Sequence, residues 1–244
     1  MRSYRIAILR HGRTAANEDG RIIGKTDLPL SEDGRKELEE KVALKEYPRV
    51  EQIYTSPLER AVQSADILFP DREITMVDDL REMDFGIFEN MYITDAVKLD
   101  SYKRWLKGGL DNPPPNGEAP RAVMLRCYAS LNAIIMDMMK RDILRAAIIT
   151  HSGIIMNMLS CFGLPKLGAM EFTCEPGEGF EIAVNAMMWQ NGRTFEITGR
   201  VPGGEAVGFN DAGELTGGYP DEEDIRPDFG NIPDDGYGED YEDS

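Results

Sequence analysis

Short apolar runs alternate with longer amphipathic stretches along most of this chain, and that alternation sets the fold to expect. Residues 4–9, Tyr-Arg-Ile-Ala-Ile-Leu, read as a buried strand. Ser31-Glu32-Asp33 opens an amphipathic helix running to about Lys45, with the serine at the capping position. Val50 to Thr55 is a second strand; Pro57 then sits in the first turn of a helix that reaches Phe69. Residues 72–77 form a third strand. A helix around Asp95–Lys107 precedes a loop from Gly108 to Pro120, broken by Pro113-Pro114-Pro115. The longest helix is expected over 120–140, followed by a strand at 143–150 and a helix at 153–161. Residues 180–189 and 193–200 flank Asn191-Gly192, a strong signal for two strands joined by a tight hairpin. Strands alternating with helices predict an α/β domain with a mostly parallel sheet covered on both faces.

The pattern stops at Pro202. Residues 1–201 form the expected domain, and 202–244 are Gly-, Asp- and Glu-rich without apolar period, which predicts an extended or disordered acidic tail. From Arg200 onward the chain holds fourteen acids against two arginines, a net of −12 out of −17 for all 244 residues. The body is close to balanced. A negative surface argues against nucleic acid as a partner, because nonspecific binding there depends on basic patches. Apolar content of 41% and charged content of 29% are ordinary for a globular protein. Cys127, Cys161 and Cys174 lack metal-type spacing and read as free thiols of a reducing compartment. No apolar run approaches the ~18 residues of a membrane span, and the first residues enter a strand pattern with no signal-peptide core. A cytoplasmic chain without membrane partners is expected; its oligomeric state, a homodimer included, stays open.

Only two histidines occur, His11 and His151, and each ends a β-branched or apolar run beside a nearby glycine. In open α/β sheets the loops after the strands are where ligands bind. Arg10-His11-Gly12 ends the first strand, and Thr55 to Ala61 carries Arg60 into a helix. Leu80-Arg81-Glu82 follows the third strand, and Thr150-His151-Ser152-Gly153 follows the fourth. One pocket could therefore collect Arg10, His11, Arg60, Glu82 and His151. The set suits phosphoryl transfer. Arginines hold phosphate oxygens with forked hydrogen bonds. A neutral imidazole can attack phosphorus, a second can donate to the equatorial oxygens, and a carboxylic acid can protonate the leaving alkoxide.

Arg10-His11-Gly12-Arg13-Thr14 with Asn17 resembles the R-H-G-x-T-x-x-N signature of the histidine phosphatase superfamily, the phosphoglycerate mutase-like family. Gly24, Asp27, Pro29-Leu30-Ser31 with Gly34, Ser56-Pro57-Leu58 with Arg60-Ala61, Leu80-Arg81-Glu82 with Asp84-Phe85-Gly86, and His151-Ser152-Gly153 follow in that family's order. The resemblance covers roughly residues 4–200. It implies a three-layer α/β/α fold, His11 as nucleophile, Glu82 as proton donor, and Arg10, Arg60 and His151 around the phosphate with Asn17 in support. It implies no metal and no cofactor. Gly20 to Thr26 looks like a nucleotide loop, but only three residues separate its glycines where four are required.

Glu82-Met83-Asp84-Phe85-Gly86 and Pro115-Asn116-Gly117-Glu118 resemble the phosphatase branch near α-ribazole phosphatase. The expected partner is thus a small-molecule phosphomonoester. Arg13 and Asn90 depart from that pattern, and Arg13 could add a cation at the pocket. A cofactor-dependent phosphoglycerate mutase is the alternative, with Lys103-Arg104 as its candidate cations; a phospho-ligand or protein-binding module without turnover is the other.

Overall fold

The computed structural model of the chain describes residues 2–203, 208–209 and 215–216. It runs β1 (Tyr4–Arg10), α1 (Ala15–Glu18), α2 (Glu32–Leu44), β2 (Gln52–Thr55), α3 (Glu59–Leu68) and β3 (Ile74–Met76). Two 3-10 turns, Asp78–Leu80 and Gly86–Phe88, lead to α4 (Ile93–Ala96), α5 (Asp100–Leu106) and α6 (Pro120–Arg141). Then come β4 (Arg145–Thr150), α7 (Ser152–Phe162), β5 (Gly163–Leu164), β6 (Gly179–Val184), α8 (Ala186–Gly192) and β7 (Phe195–Val201). Two short segments, β8 (Gly208–Phe209) and β9 (Leu215–Thr216), pair antiparallel. The rest of the predicted acidic tail lies outside the described residues.

The strands β1 to β7 form one sheet in the order β3-β2-β4-β1-β6-β7-β5. The first four positions are parallel, and β6 is antiparallel to both β1 and β7. Alternation along β1 and β4 explains the layers. Ile6, Ile8, Ala146 and Ile148 pack with Leu131, Ile135, Ile155 and Leu159 of α6 and α7. Ala7, Leu9, Ala147 and Ile149 face the other way, onto Leu38, Ala61, Ala65 and Leu68 of α2 and α3. Both faces are covered, so these strands read as continuous apolar runs. The three-layer α/β architecture predicted from the sequence is the one observed.

Two elements differ from expectation. No tight hairpin forms at Asn191-Gly192. β6 and β7 are antiparallel neighbours, but α8 connects them: Asn185 caps it by accepting from the Met188 amide at 2.9 Å, and Arg193 closes it in the left-handed region at φ 52°. Trp189, 1% exposed, decides the outcome. The helix carries its indole into the core, where Nε1 donates to Asn132 Oδ1 at 3.0 Å, and that burial outweighs local turn preference. The single helix expected at 95–107 is likewise two short ones, α4 and α5, with Leu99 extended between them. The break lets Ile93, Ala96 and Tyr102 close with Ile22 around Phe88 in a small satellite core.

By length and mean hydropathy alone, α6 could cross a membrane. Its packing marks it as a core helix: Val123, Cys127, Leu131, Ile134, Ile135 and Met138 are buried against the domain, and Arg126 is buried with them in a salt bridge to Glu118. Leu131→Ala should therefore cost about 2–5 kcal/mol in urea unfolding. Leu125→Ala, on the exposed face, should cost less than about 0.5 kcal/mol. Equal losses would contradict this placement of the helix.

Candidate active site

Register builds the centre of the site. Arg10 at the end of β1 pairs with Thr150 at the end of β4, so His11 and His151 leave adjacent parallel strands side by side. Their ring centroids lie 5.0 Å apart. The His11 amide donates to Thr150 O at 2.9 Å, which continues the ladder one residue past the strand. On the other side of β4, Thr55 pairs with Ile149, and Ser56 follows it to place its hydroxyl 2.8 Å from His151 Nε2.

The tautomer of His11 follows from its partners. Nδ1 lies 2.6 Å from Gly12 O, and a carbonyl can only accept, so Nδ1 carries the proton. Nε2 is then a lone pair, and it accepts from Arg60 Nε at 3.3 Å. Burial, followed by the charges of Arg60 and Arg10, holds the His11 pKa well below its ordinary value. His151 is lowered in the same way, first by burial and then by His11, Arg60, Arg126 and Arg10. Its Nδ1 is buried and makes no hydrogen bond among the described residues. Both rings are neutral at neutral pH.

Arg60 enters from the first turn of α3 and is 1% exposed. Nη1 donates to Thr26 O and Nη2 to Gly24 O, each at 2.8 Å. The start of α3 has no cap from its own N-cap residue; Asp27, from the same loop as those carbonyls, takes the Glu59 amide at 2.7 Å. The loop therefore fixes both the helix and the arginine it carries. Gly24 is required in it, because a Cβ there would stand 1.9 Å from Met83 O.

Glu82 approaches from the turn after β3. Its Oε1 accepts from the Met83 amide at 2.8 Å and its Oε2 from the Gly153 amide at 3.0 Å, beside His151. A Cβ on Gly153 would meet that carboxyl at 2.7 Å, so the approach needs glycine. Burial raises the Glu82 pKa; the two amide bonds and the charges of Arg60 and Arg126 pull against it. Behind it, Arg126 forks onto Glu118 at 2.8 and 2.9 Å and donates to Asp79 O and Arg81 O. This pins the glutamate's turn to α6.

Four predicted site residues, His11, Arg60, Glu82 and His151, thus converge. Arg10 is close enough to depress both histidines, with Nη1 on Cys174 O at 2.9 Å and Nε without a hydrogen-bond partner among the described residues. Asn17 is placed differently. Its Oδ1 accepts from the Thr14 amide and hydroxyl in a capping box, which leaves only its Nδ2 to donate elsewhere. Arg13 is not a spare pocket cation: it pairs with Glu37 at 3.0 Å and Glu175 at 3.6 Å. Lys103 and Arg104 lie exposed on α5. Among the described residues no cluster of three or more His, Cys, Asp or Glu is arranged to hold a metal ion. Asp27 enters the sequence reading only as part of the family pattern and Arg126 not at all; each is a charged residue whose role depends on a partner distant in the chain.

The depressed histidines tie stability to pH. In the unfolded chain each titrates near 6.5, whereas in the folded chain each stays neutral to lower pH. As pH falls through about 6.5 the unfolded state gains protons the native state does not, and stability falls by up to about 1.4 kcal/mol per pH unit per histidine. Glu82 acts with the opposite sign above its ordinary 4.5, in wild type and His11→Gln alike. Urea midpoints followed downward from neutral pH should therefore drop more steeply for wild type than for His11→Gln. Parallel curves would mean that native His11 takes up the proton.

Known proteins resemble this chain in sequence and in fold. The family model described as the histidine phosphatase superfamily (branch 1) matches residues 6–190. An adenosylcobalamin/alpha-ribazole phosphatase of Escherichia coli (strain K12) is 26% identical over 186 residues, covering 74% of this chain and 90% of that protein. Phosphoglycerate mutase-like protein 4 of Arabidopsis thaliana is 29% identical over 161 residues, covering 63% of this chain and 68% of that one. The crystal structure of the alpha-ribazole phosphatase from Shigella flexneri superposes with a TM-score of 0.65 at 22% identity, over 85% of this chain and 100% of that one, a likeness of fold. With the motif order, the fold and the family match in agreement, the chain belongs to the histidine phosphatase superfamily (branch 1) and is an enzyme of that phosphatase family.

Proposed function

We propose that the chain hydrolyses small-molecule phosphomonoesters through a phosphohistidine on His11, with Glu82 as the general acid and base and no metal in the reaction. The observation that carries this reading is the pairing of a fixed His11 tautomer with a buried arginine: Nδ1 is committed to Gly12 O, and the Nε2 lone pair faces the Arg60 Nε–H. A phosphate drawn to Arg60 would present phosphorus to that lone pair. Arg10 Nε and His151 Nδ1, both buried without a hydrogen-bond partner among the described residues, are suited to its remaining oxygens, and Asn17 Nδ2 could support them.

In the first half-reaction Nε2 bonds to phosphorus, the ester P–O bond breaks, and the leaving alkoxide takes the proton of Glu82. In the second, Glu82 as carboxylate removes a proton from water. The water oxygen bonds to phosphorus, the P–N bond breaks, and inorganic phosphate leaves with Glu82 protonated again. Burial supports this cycle, because it holds Glu82 protonated to higher pH than a solvated carboxyl. A low His11 pKa keeps the nucleophile unprotonated at neutral pH.

Water rather than a second sugar hydroxyl is the acceptor in this reading. A mutase has to retain a doubly phosphorylated intermediate, and the extra cations offered by the sequence are elsewhere engaged or exposed: Arg13 with Glu37 and Glu175, Lys103 and Arg104 on α5. The E. coli relative makes a ribazole-type phosphate ester the first natural substrate to test.

Hydrolysis of p-nitrophenyl phosphate should persist in EDTA and vanish in His11→Ala; activity surviving the substitution would overturn the mechanism. Glu82→Gln should slow alkyl phosphates by about 10²–10⁴-fold and aryl phosphates far less, because a good leaving group needs no proton. Equal losses on both would remove Glu82 as the acid.

A further inference from the structure

Glu89 lies outside every motif assigned a role above, yet more of the pocket's backbone converges on it than on any catalytic carboxyl. Its Oε2 accepts from the amides of Gly24 and Thr26, each at 3.2 Å, and from the Thr26 hydroxyl at 2.5 Å. Its Oε1 accepts from the Lys25 amide at 3.1 Å and the Phe85 amide at 3.0 Å. Three consecutive N–H groups of one loop therefore point at a single carboxylate. The carbonyls of two of those residues, Gly24 and Thr26, are the ones that hold the two terminal nitrogens of Arg60.

The loop is a two-sided strap, with amides on Glu89 and carbonyls on Arg60. We infer that Glu89 is a positioning residue for phosphate recognition, acting through the Gly24–Thr26 strap to set the direction of the Arg60 guanidinium. The inference rests on the reading of Arg60 as a phosphate ligand.

Two physical arguments support it. An anion that accepts several backbone amides forms strong, short-range bonds and fixes the peptide planes it binds. The Gly24 carbonyl shares its peptide plane with the Lys25 N–H that Glu89 holds, so that acceptor for Arg60 is set directly; Thr26, held on Glu89 by both its amide and its hydroxyl, carries the other. Arg60 itself has little alternative, being buried with no carboxylate among the described residues in direct hydrogen-bond contact. The same carboxylate takes the Phe85 amide, and Lys25 of the strap pairs with Asp84 at 2.8 Å. The strap is thereby joined to the segment that follows Glu82, so the phosphate ligand and the proton donor share one support.

The test is a double-mutant cycle read by calorimetric titration with inorganic phosphate, which needs no turnover. Glu89→Gln replaces one acceptor oxygen by a donor facing N–H groups, and should weaken phosphate binding about tenfold. Arg60→Ala should weaken it at least as much, and adding Glu89→Gln to Arg60→Ala should change it little further, as expected of residues that act through one another. Normal binding by Glu89→Gln, or losses that simply add in the double variant, would overturn the inference. Normal binding by Arg60→Ala would overturn it together with the phosphate role of Arg60, which separates the two failures. If Glu89→Gln does not fold, Thr26→Val removes one donor from the carboxylate while keeping the side-chain shape. It should weaken binding about twofold and lose that effect in the Arg60→Ala background; no weakening would count against the inference.

Discussion

A guanidinium almost wholly removed from water is the constraint on which the rest of the site depends. Burying a charge without compensation is among the costliest things a fold can do, and burial indeed lowers the Arg60 pKa against the supporting charges of Glu82, Asp27 and Glu89. Among the described residues the hydrogen-bonding partners of Arg60 are two carbonyls and an imidazole, and none carries a full negative charge. Its positive field is dispersed by dipoles and not cancelled at contact. An incoming dianion therefore meets a cation already stripped of solvent, where attraction is stronger than at the surface. The two histidines stay neutral first because they are themselves buried, and this field adds to the effect. One buried charge thus engages the 24–26 segment and adds to the effect of burial on the nucleophile, and in the proposed reading it also draws the phosphate.

The acid follows a parallel logic. Glu82 is desolvated enough to resist ionisation, yet two amides and two nearby arginines prevent it from becoming a permanently neutral group. A residue required to give up a proton and then reclaim it needs such an intermediate setting. Arg126 contributes twice, as a distant charge and as the clamp that binds Asp79 O and Arg81 O at the turn before Glu82.

The strand ends could be read from the sequence because parallel strands buried on both faces leave an unbroken apolar run, and a histidine terminating such a run stands out. His11, His151, Arg60 and Glu82 were legible for that reason. Arg126 and Glu89 were not, since nothing local distinguishes a buried Arg or Glu from a solvated one; only the fold brings Glu118 to the first and three loop amides to the second. Asn191-Gly192 misled for the opposite reason. Its local turn signal is real, but a tryptophan two residues earlier gains more by entering the core on a helix. Arg13 reads as a spare cation in the sequence, and the fold brings Glu37 and Glu175 to it.

The strand order has a consequence for how the chain reaches this state. β4 lies between β2 and β1, so those two strands never pair with each other, and each waits for residues 145–150, which are made after both. Until those residues leave the ribosome, Ile6 to Leu9 and Gln52 to Thr55 present open, largely apolar edges to the cell. Such edges are templates for pairing with other chains. The insertion that brings His151 against His11 therefore leaves two apolar strands without their shared neighbour until residues 145–150 are made.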